Sequence, residues 1–178
     1  MKTNNVTLIL AVALTLVMAS CSRKKETGTI ITKMETTKVS RKVQATGDKE
    51  TTKEFQWNGE VCNAVISVKA DKEAPTVKDG DGNKYYDNKV TLTVNGAGGQ
   101  LFKREFAKSD FKEYINTNYL KPTKSTLLGI VFNRIEAGNA MFVATVGSPD
   151  DMADEFMLVG ISLSKSGGIS MSRIQEAE

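Results

Sequence analysis

The chain has 178 residues, 40% of them hydrophobic, with 24 basic against 21 acidic side chains and a formal net charge of +3. That is room for one domain with an ordinary core, and no aromatic residues are interleaved with the basic stretch 22–53, which argues against a nucleic-acid partner. No histidine is present, which removes imidazole as a catalytic base, triad member or metal ligand.

The first predicted element is an export signal. Met1 to Asn5 carries one lysine, Val6 to Met18 is an apolar run broken only by threonines, and Ala19-Ser20-Cys21 follows. The run is too short for a membrane-spanning helix, which needs roughly 20 residues, but it suits a secretory core segment. An uncleaved anchor helix is the alternative. Val17-Met18-Ala19-Ser20-Cys21 resembles the lipobox of bacterial lipoproteins, with Met18 where leucine is usual. The resemblance implies a signal peptide over 1–20, cleavage between Ser20 and Cys21, and lipidation of Cys21 with diacylglycerol and an acyl chain such as palmitate. Several acyl chains anchor a protein stably where one holds only marginally, so the membrane is the first expected partner. Ser22, in place of the aspartate that retains such proteins in the inner membrane, implies a lipid-anchored cell-envelope protein at the periplasmic face of the outer membrane.

Residues 21–53 read as a basic, flexible tether. From Ser22 to Lys53 there are nine basic and four acidic side chains, a net of +5. From Glu54 onward there are fourteen and seventeen, a net of −3. Such a leash is attracted to anionic headgroups at about 1 kcal/mol per basic residue near the surface, or it is simply a solvated spacer. Ile30, Ile31, Met34 and Val39 offer at most one edge strand. The globular domain is assigned to 54–178.

Alternation dominates that domain. Val61–Val68 places Cys62, Ala64, Ile66 and Val68 on one face, and Lys89–Val94 does the same with Val90, Leu92 and Val94. Both are half-buried strands. Gln100–Phe106 returns after the Gly96–Gly99 turn. Leu127–Ile135, Ala140–Val146, Phe156–Leu163 and Ile169–Ile174 complete the set. Between them, Ser109 is placed as an N-cap for a short helix near 109–116, with Phe111, Tyr114 and Ile115 as its apolar stripe. The expected fold is mainly β, at the margin of α+β: an antiparallel β-sandwich or open barrel of about seven or eight strands.

Asp79-Gly-Asp-Gly-Asn83 is the most ligand-like phrase. Asp79, Asp81 and Asn83 match positions 1, 3 and 5 of a helix–loop–helix calcium loop, but Lys84 falls where glycine is needed and Val90 where a bidentate glutamate is needed. Asp-Gly and Gly-Asn also make tight turns, and a turn joining two strands, with Tyr85 or Tyr86 packed on the sheet, is the preferred reading. No metal and no cofactor are expected. Cys62, the sole thiol besides Cys21, sits on an apolar strand face as a small buried hydrophobe. Asp150, Asp151, Asp154 and Glu155 form an acidic loop; carboxylates do acid–base work only where a cleft brings two together.

Three phrases carry a second resemblance: Tyr-x-Asp-Asn-Lys-Val-Thr-Leu-Thr-Val at 85–94, Phe-Ala-Lys-Ser-Asp-Phe at 106–111 and Gly-Gly-Ile-Ser-Met at 167–171. They resemble a family of small anaerobe lipoproteins known only as a domain of unknown function. The resemblance implies an envelope lipoprotein and brings no activity. The expected role is a non-catalytic binding or assembly module for an envelope protein, peptide or glycan. The alternatives are a periplasmic hydrolase using carboxylates among Asp79, Asp81, Asp150 and Asp154, and an inhibitor that offers a loop or sheet edge to a partner.

Overall fold

A computed structural model describes residues 40, 42–116, 118–150 and 154–174. Residues 40–174 belong to one compact unit. Ten strands run in the order β1 (Lys49–Trp57), β2 (Glu60–Asp71), β3 (Val77–Lys78), β4 (Lys84–Tyr85), β5 (Asp87–Gly96), β6 (Gly99–Ala107), β7 (Thr126–Glu136), β8 (Asn139–Gly147), β9 (Phe156–Leu163) and β10 (Ile169–Arg173). One four-stranded sheet has the order β1-β2-β5-β6, a second has β10-β9-β8-β7, and β3-β4 form a small ribbon. Every pairing between strands is antiparallel. The result is the expected sandwich, without closure into a barrel.

The core is the set of inward positions set by the two-residue period of a strand. Cys62, Ala64, Ile66 and Val68 of β2 meet Val90, Leu92 and Val94 of β5 on one side, and Phe142, Ala144 and Val146 of β8 with Val159 and Ile161 of β9 on the other. Phe132 stacks on Phe55 at 4.3 Å and meets Phe142 edge-on at 5.6 Å, so the aromatic rings bridge the two layers. β7 packs against β5, β2 and β1. Its register against β8 shifts at Leu127/Gly129 and Phe132/Arg134, and such bulges bend a strand and increase its twist.

The first sheet begins earlier than the boundary at residue 54. β1 pairs from Lys49, against Val68, and Gln44 bridges Tyr85 ahead of it. Lys49 to Glu54 are exposed on both faces of an edge strand, so no apolar alternation marks them; backbone hydrogen bonds hold them. The helix expected near 109–116 is a 3₁₀ turn over Lys108–Phe111 instead. Asp110 folds back, accepting from the Ala107 N–H at 2.8 Å and from Arg104 at 2.9 Å, while Ser109 makes no cap. Phe111 and Ile115 are nevertheless buried against the core, and Tyr114 packs beside them.

The four hairpin turns, at 58–59, 97–98, 137–138 and 164–168, follow β1, β5, β7 and β9 at one end of the sandwich. Asn58 and Gly59 have φ of 52° and 81°, as an Asn-Gly turn of type I′ requires. Trp57, buried in the first sheet, donates from Nε1 to the carbonyl of Gly138 in the second at 2.8 Å. Lys165 lies over the Trp57 ring at 5.1 Å and pairs with Glu60, whose other oxygen accepts from the Ala97 N–H. The hydrogen bond from Lys165, followed by that from Ala97, holds the Glu60 carboxyl below its ordinary value, and the same bond to Glu60 raises Lys165.

The opposite end carries the crossovers and a buried polar hub. Asp87, at the start of β5, is 6% exposed. Its Oδ1 accepts from Thr126 Oγ1 at 2.6 Å, from the Asn88 N–H at 2.9 Å and from the Leu127 N–H at 3.1 Å. Its Oδ2 meets Lys108 Nζ at 2.8 Å. Lys108 also donates to the carbonyls of Pro122 and Ser125. Asn88 Nδ2 donates to Leu127 O at 2.9 Å, so two side chains of β5 imitate a β-bridge to the first residues of β7.

Removing one member of such a buried pair strands the other charge, at a cost of about 3–5 kcal/mol. Asp87→Ala is therefore expected to lose that much in chemical denaturation. Asp87→Asn keeps the Oδ1 acceptor but removes the charge and sets an amide N–H against Lys108, so it should lose a comparable amount, and a variant as stable as wild type would contradict the hub. At the hairpin end, a carboxylate held low stabilises above its ordinary pKa of 4.5 and stops doing so as pH falls through its lower folded value. Raised Lys165 contributes fully below 10.5 and is lost as pH climbs past its folded value. Melting curves of Glu60→Gln should therefore diverge from wild type between those limits and converge below pH 4.5.

Candidate functional site

A concavity of about 600 Å³ lies at the crossover end, between the 72–76 loop, β3 and the segments around 107–115 and 122–123. Ala74, Pro75, Val77, Ile115 and Pro122 make most of its wall, together with the stem of Lys112. Each arrives for a local reason. Pro75 cannot donate to a ladder, so it keeps the chain out of the sheet before β3. Asp71 accepts from the N–H groups of Glu73 and Ala74 and curls the loop over the cavity. The 3₁₀ turn carries Lys108 inward.

Four charged side chains line this cavity: Asp71 accepts from its own loop and pairs with Lys89, Lys112 stands at the mouth, and Asp87 and Lys108 are paired with each other and with neighbouring donors and acceptors. An ionised carboxylate offers about four acceptor sites and an ammonium three donors; Asp87 receives four donors and Lys108 reaches three acceptors. Neither can trade a proton with a ligand without releasing the junction between the sheets. At the mouth, the side chains of Thr76, Ser109, Thr123 and Lys112 make no hydrogen bond to another described residue. The cavity thus offers shape and apolar contact, with a hydroxyl-and-ammonium rim.

The acidic residues singled out by sequence do not share this cavity. Asp79 is buried in the β3–β4 turn. Burial alone would raise its pKa, but donation from the Asn83 amide, the Asn83 N–H, Tyr85 and the Asp81 N–H outweighs it and holds the carboxyl below 3.8. Asn83 directs Nδ2 to Asp79 at 2.8 Å and offers its oxygen to the Ser40 N–H at 2.7 Å. Asp81 points to solvent. These contacts make 79–83 a turn between two strands, and its acceptors face local donors. Asp150 sits in the loop that joins the adjacent strands β8 and β9, its N–H donating to Ser148 Oγ; Asp154 and Glu155 are exposed, and Asp151 lies outside the described residues. Among the described residues no three His, Cys, Asp or Glu side chains gather as ligands for a metal.

Cys62 is 1% exposed. Burial pushes its thiol upward, Lys165 opposes this and Glu60 reinforces it, for a net rise, which disfavours the thiolate that nucleophilic chemistry needs. Ser20 and Cys21 lie outside the described residues. No helix among the described residues is long and apolar enough to cross a membrane. Sequence reasoning missed the cavity altogether, although Pro75 between two apolar stretches was a signal that the chain leaves the sheet there.

A comparison with curated proteins finds no match. A family model described as a domain of unknown function, DUF4738, matches residues 29–171, and the chain belongs to that family.

Proposed function

We propose that this protein is a lipid-anchored, non-catalytic binding module of the cell envelope, which receives an apolar side chain or terminus of a protein or peptide partner in the cavity at its crossover end. The observation that carries this reading is the pairing of an apolar wall of about 600 Å³ with a charged pair whose hydrogen-bonding capacity is already spent. Ligand pockets of this size are mostly apolar with a few polar groups that orient the ligand. A glycan fits less well, because no aromatic platform lines the cavity. A hydrolase needs two available carboxylates in one cleft, and the two that line this cavity, Asp71 and Asp87, are both engaged with local donors.

Support for the anchor comes from the apolar run before Ala19-Ser20-Cys21 and from the basic stretch that follows it. Acyl chains on Cys21 hold the domain near the bilayer, and the residues between Cys21 and Ser40 set its reach.

Cys21→Ala is expected to leave an unprocessed precursor or a form released from membranes, read by fractionation and by the mass of the N-terminal peptide. A processed form that still sediments with membranes would refute the anchor. For the cavity, a photo-crosslinker installed at Thr123 in the full chain should join a defined envelope protein in native membranes, and Ala74→Trp, which fills the space, should abolish the adduct. If the adduct persists at full yield in Ala74→Trp, the cavity is not the binding site.

A further inference from the structure

The polar groups that line the crossover cavity differ in what they still have to offer. Asp71 accepts from the N–H groups of Glu73 and Ala74 and lies 3.6 Å from Lys89. Asp87 and Lys108 pair with each other. Asn88 directs its amide hydrogens to Thr46 Oγ1 and the Leu127 carbonyl. Lys112 remains. Its head is exposed, and it makes no ion pair or side-chain hydrogen bond to another described residue. Beside it at the mouth are the hydroxyls of Thr76, Ser109 and Thr123, from three separate segments and equally without a partner among the described residues.

These groups constrain a ligand in two places. Inside the cavity the charged and amide side chains are already engaged, and a peptide group buried there would lose its water without replacement. An apolar side chain meets that condition, and a length of backbone does not. At the mouth, an ammonium donates and never accepts, whereas a hydroxyl does both. The complement is a carboxylate beside a peptide N–H. The last residue of a polypeptide carries those groups on one Cα: an apolar side chain, a free carboxylate and a single amide.

We propose that the cavity takes the carboxy-terminal residue of a partner chain, its apolar side chain against Ala74, Pro75, Val77 and Ile115 and its carboxylate on the Lys112 ammonium. This rests on the binding-module reading above and narrows it to one kind of chain end. Capture of a terminal carboxylate by clustered donors is a recurring mode of peptide recognition. An amino terminus would set its own ammonium against Lys112, with Asp71 and Asp87 already engaged. An internal residue would bring two peptide groups and no charge, leaving Lys112 unanswered. A free fatty acid carries the carboxylate but has no amide for the hydroxyls.

The surroundings act in the same direction. Lys72, Lys121 and Lys124 adjoin lining residues in the sequence, and all three are exposed without an ion pair among the described residues. Of the acids in the same segments, Glu73 lies 3.9 Å from Lys89, Asp110 pairs with Arg104, and Glu113 lines a neighbouring depression. A mouth of net positive charge draws an anionic chain end toward it, and salt weakens that attraction.

The test uses the purified full chain and N-acetylated tetrapeptides ending in leucine or phenylalanine, each made as the free acid and as the carboxamide. Binding is read by calorimetry. The free acid is expected to bind roughly tenfold more tightly than the amide. Lys112→Met, which keeps an apolar stem, should bring the acid down to the level of the amide and leave the amide unchanged, and Lys112→Arg should keep the preference. Unchanged melting temperatures show that the variants fold. Acid and amide of equal affinity in wild type, both blocked by Ala74→Trp, would overturn carboxylate recognition and leave the cavity reading standing. Acid binding that Ala74→Trp does not disturb would overturn both. Decanoate that outcompetes every free-acid peptide would make a fatty acid the occupant and end the proposal, as would the failure of every peptide to bind at ~1 mM.

Discussion

The carboxylate of Asp87 ties both layers of this protein together through hydrogen bonds at their crossover end. It leaves water at the first residue of β5 and takes donors from its own neighbour, from the first two residues of β7 and from Lys108 on the segment between the sheets. A carboxylate moved into a low-dielectric interior is costly unless it is paired and its lone pairs are occupied. Here three donors converge on Oδ1 and Lys108 meets Oδ2, so the cost is offset only when β5, β7 and Lys108 stand in one arrangement. The contribution is therefore to specificity of assembly more than to net stability. Asn88 repeats the logic with a neutral side chain, joining Thr46 and Leu127 across the same gap.

The hairpin end is fastened differently. Trp57 supplies a neutral hydrogen bond to Gly138, and its burial is hydrophobic. The pair Glu60–Lys165 that covers it is about one-third exposed on each side, where water screens the attraction and ion pairs contribute little. One end of the sandwich is thus held by a dry network that fails as a unit, and the other by aromatic packing with a wet rim. The cavity opens on the dry end, and one part of its wall, Pro122, is tied to the hub through Lys108.

Seven of the strands were legible because their inward residues alternate, as in Cys62-x-Ala64-x-Ile66-x-Val68. β1 was legible only at Phe55 and Trp57, since its first six residues face water on both sides and owe their shape to pairing with β2. The 109–116 segment carries a helical stripe, yet it turns as 3₁₀ because Asp110 binds back to Ala107 and Arg104, a tertiary preference that periodicity does not encode. Burial of Asp79 in a turn follows from the Asn83 amide meeting it, and the pattern of acceptors shows only that a turn or an ion could use them. The hub was invisible for a further reason: Asp87 and Lys108 are 21 positions apart, and each alone reads as surface charge. Both nonetheless fall within the phrases 85–94 and 106–111, which are what made the chain resemble other members of its family. Those phrases are structural because they build the junction between the sheets.

A chain without histidine, with its buried thiol raised and its buried carboxylates committed to donors, has few groups left to move protons. What it has in reserve is apolar area, divided between a concave site at the crossover end and a flat face on the second sheet. These two reserves make different demands on the fold. A cavity needs walls that do not collapse inward, which the saturated hub provides by fixing the crossover. A flat face needs a sheet with no bulky or charged outward groups at its centre, which Gly129, Gly160, Ser162 and Ser172 provide by being small. Charged side chains at those four positions would have been cheaper for solubility, as the Lys89, Lys103 and Glu105 face of the first sheet shows. Glycine and serine there instead are a difference between the two faces that the stability of an isolated sandwich does not require.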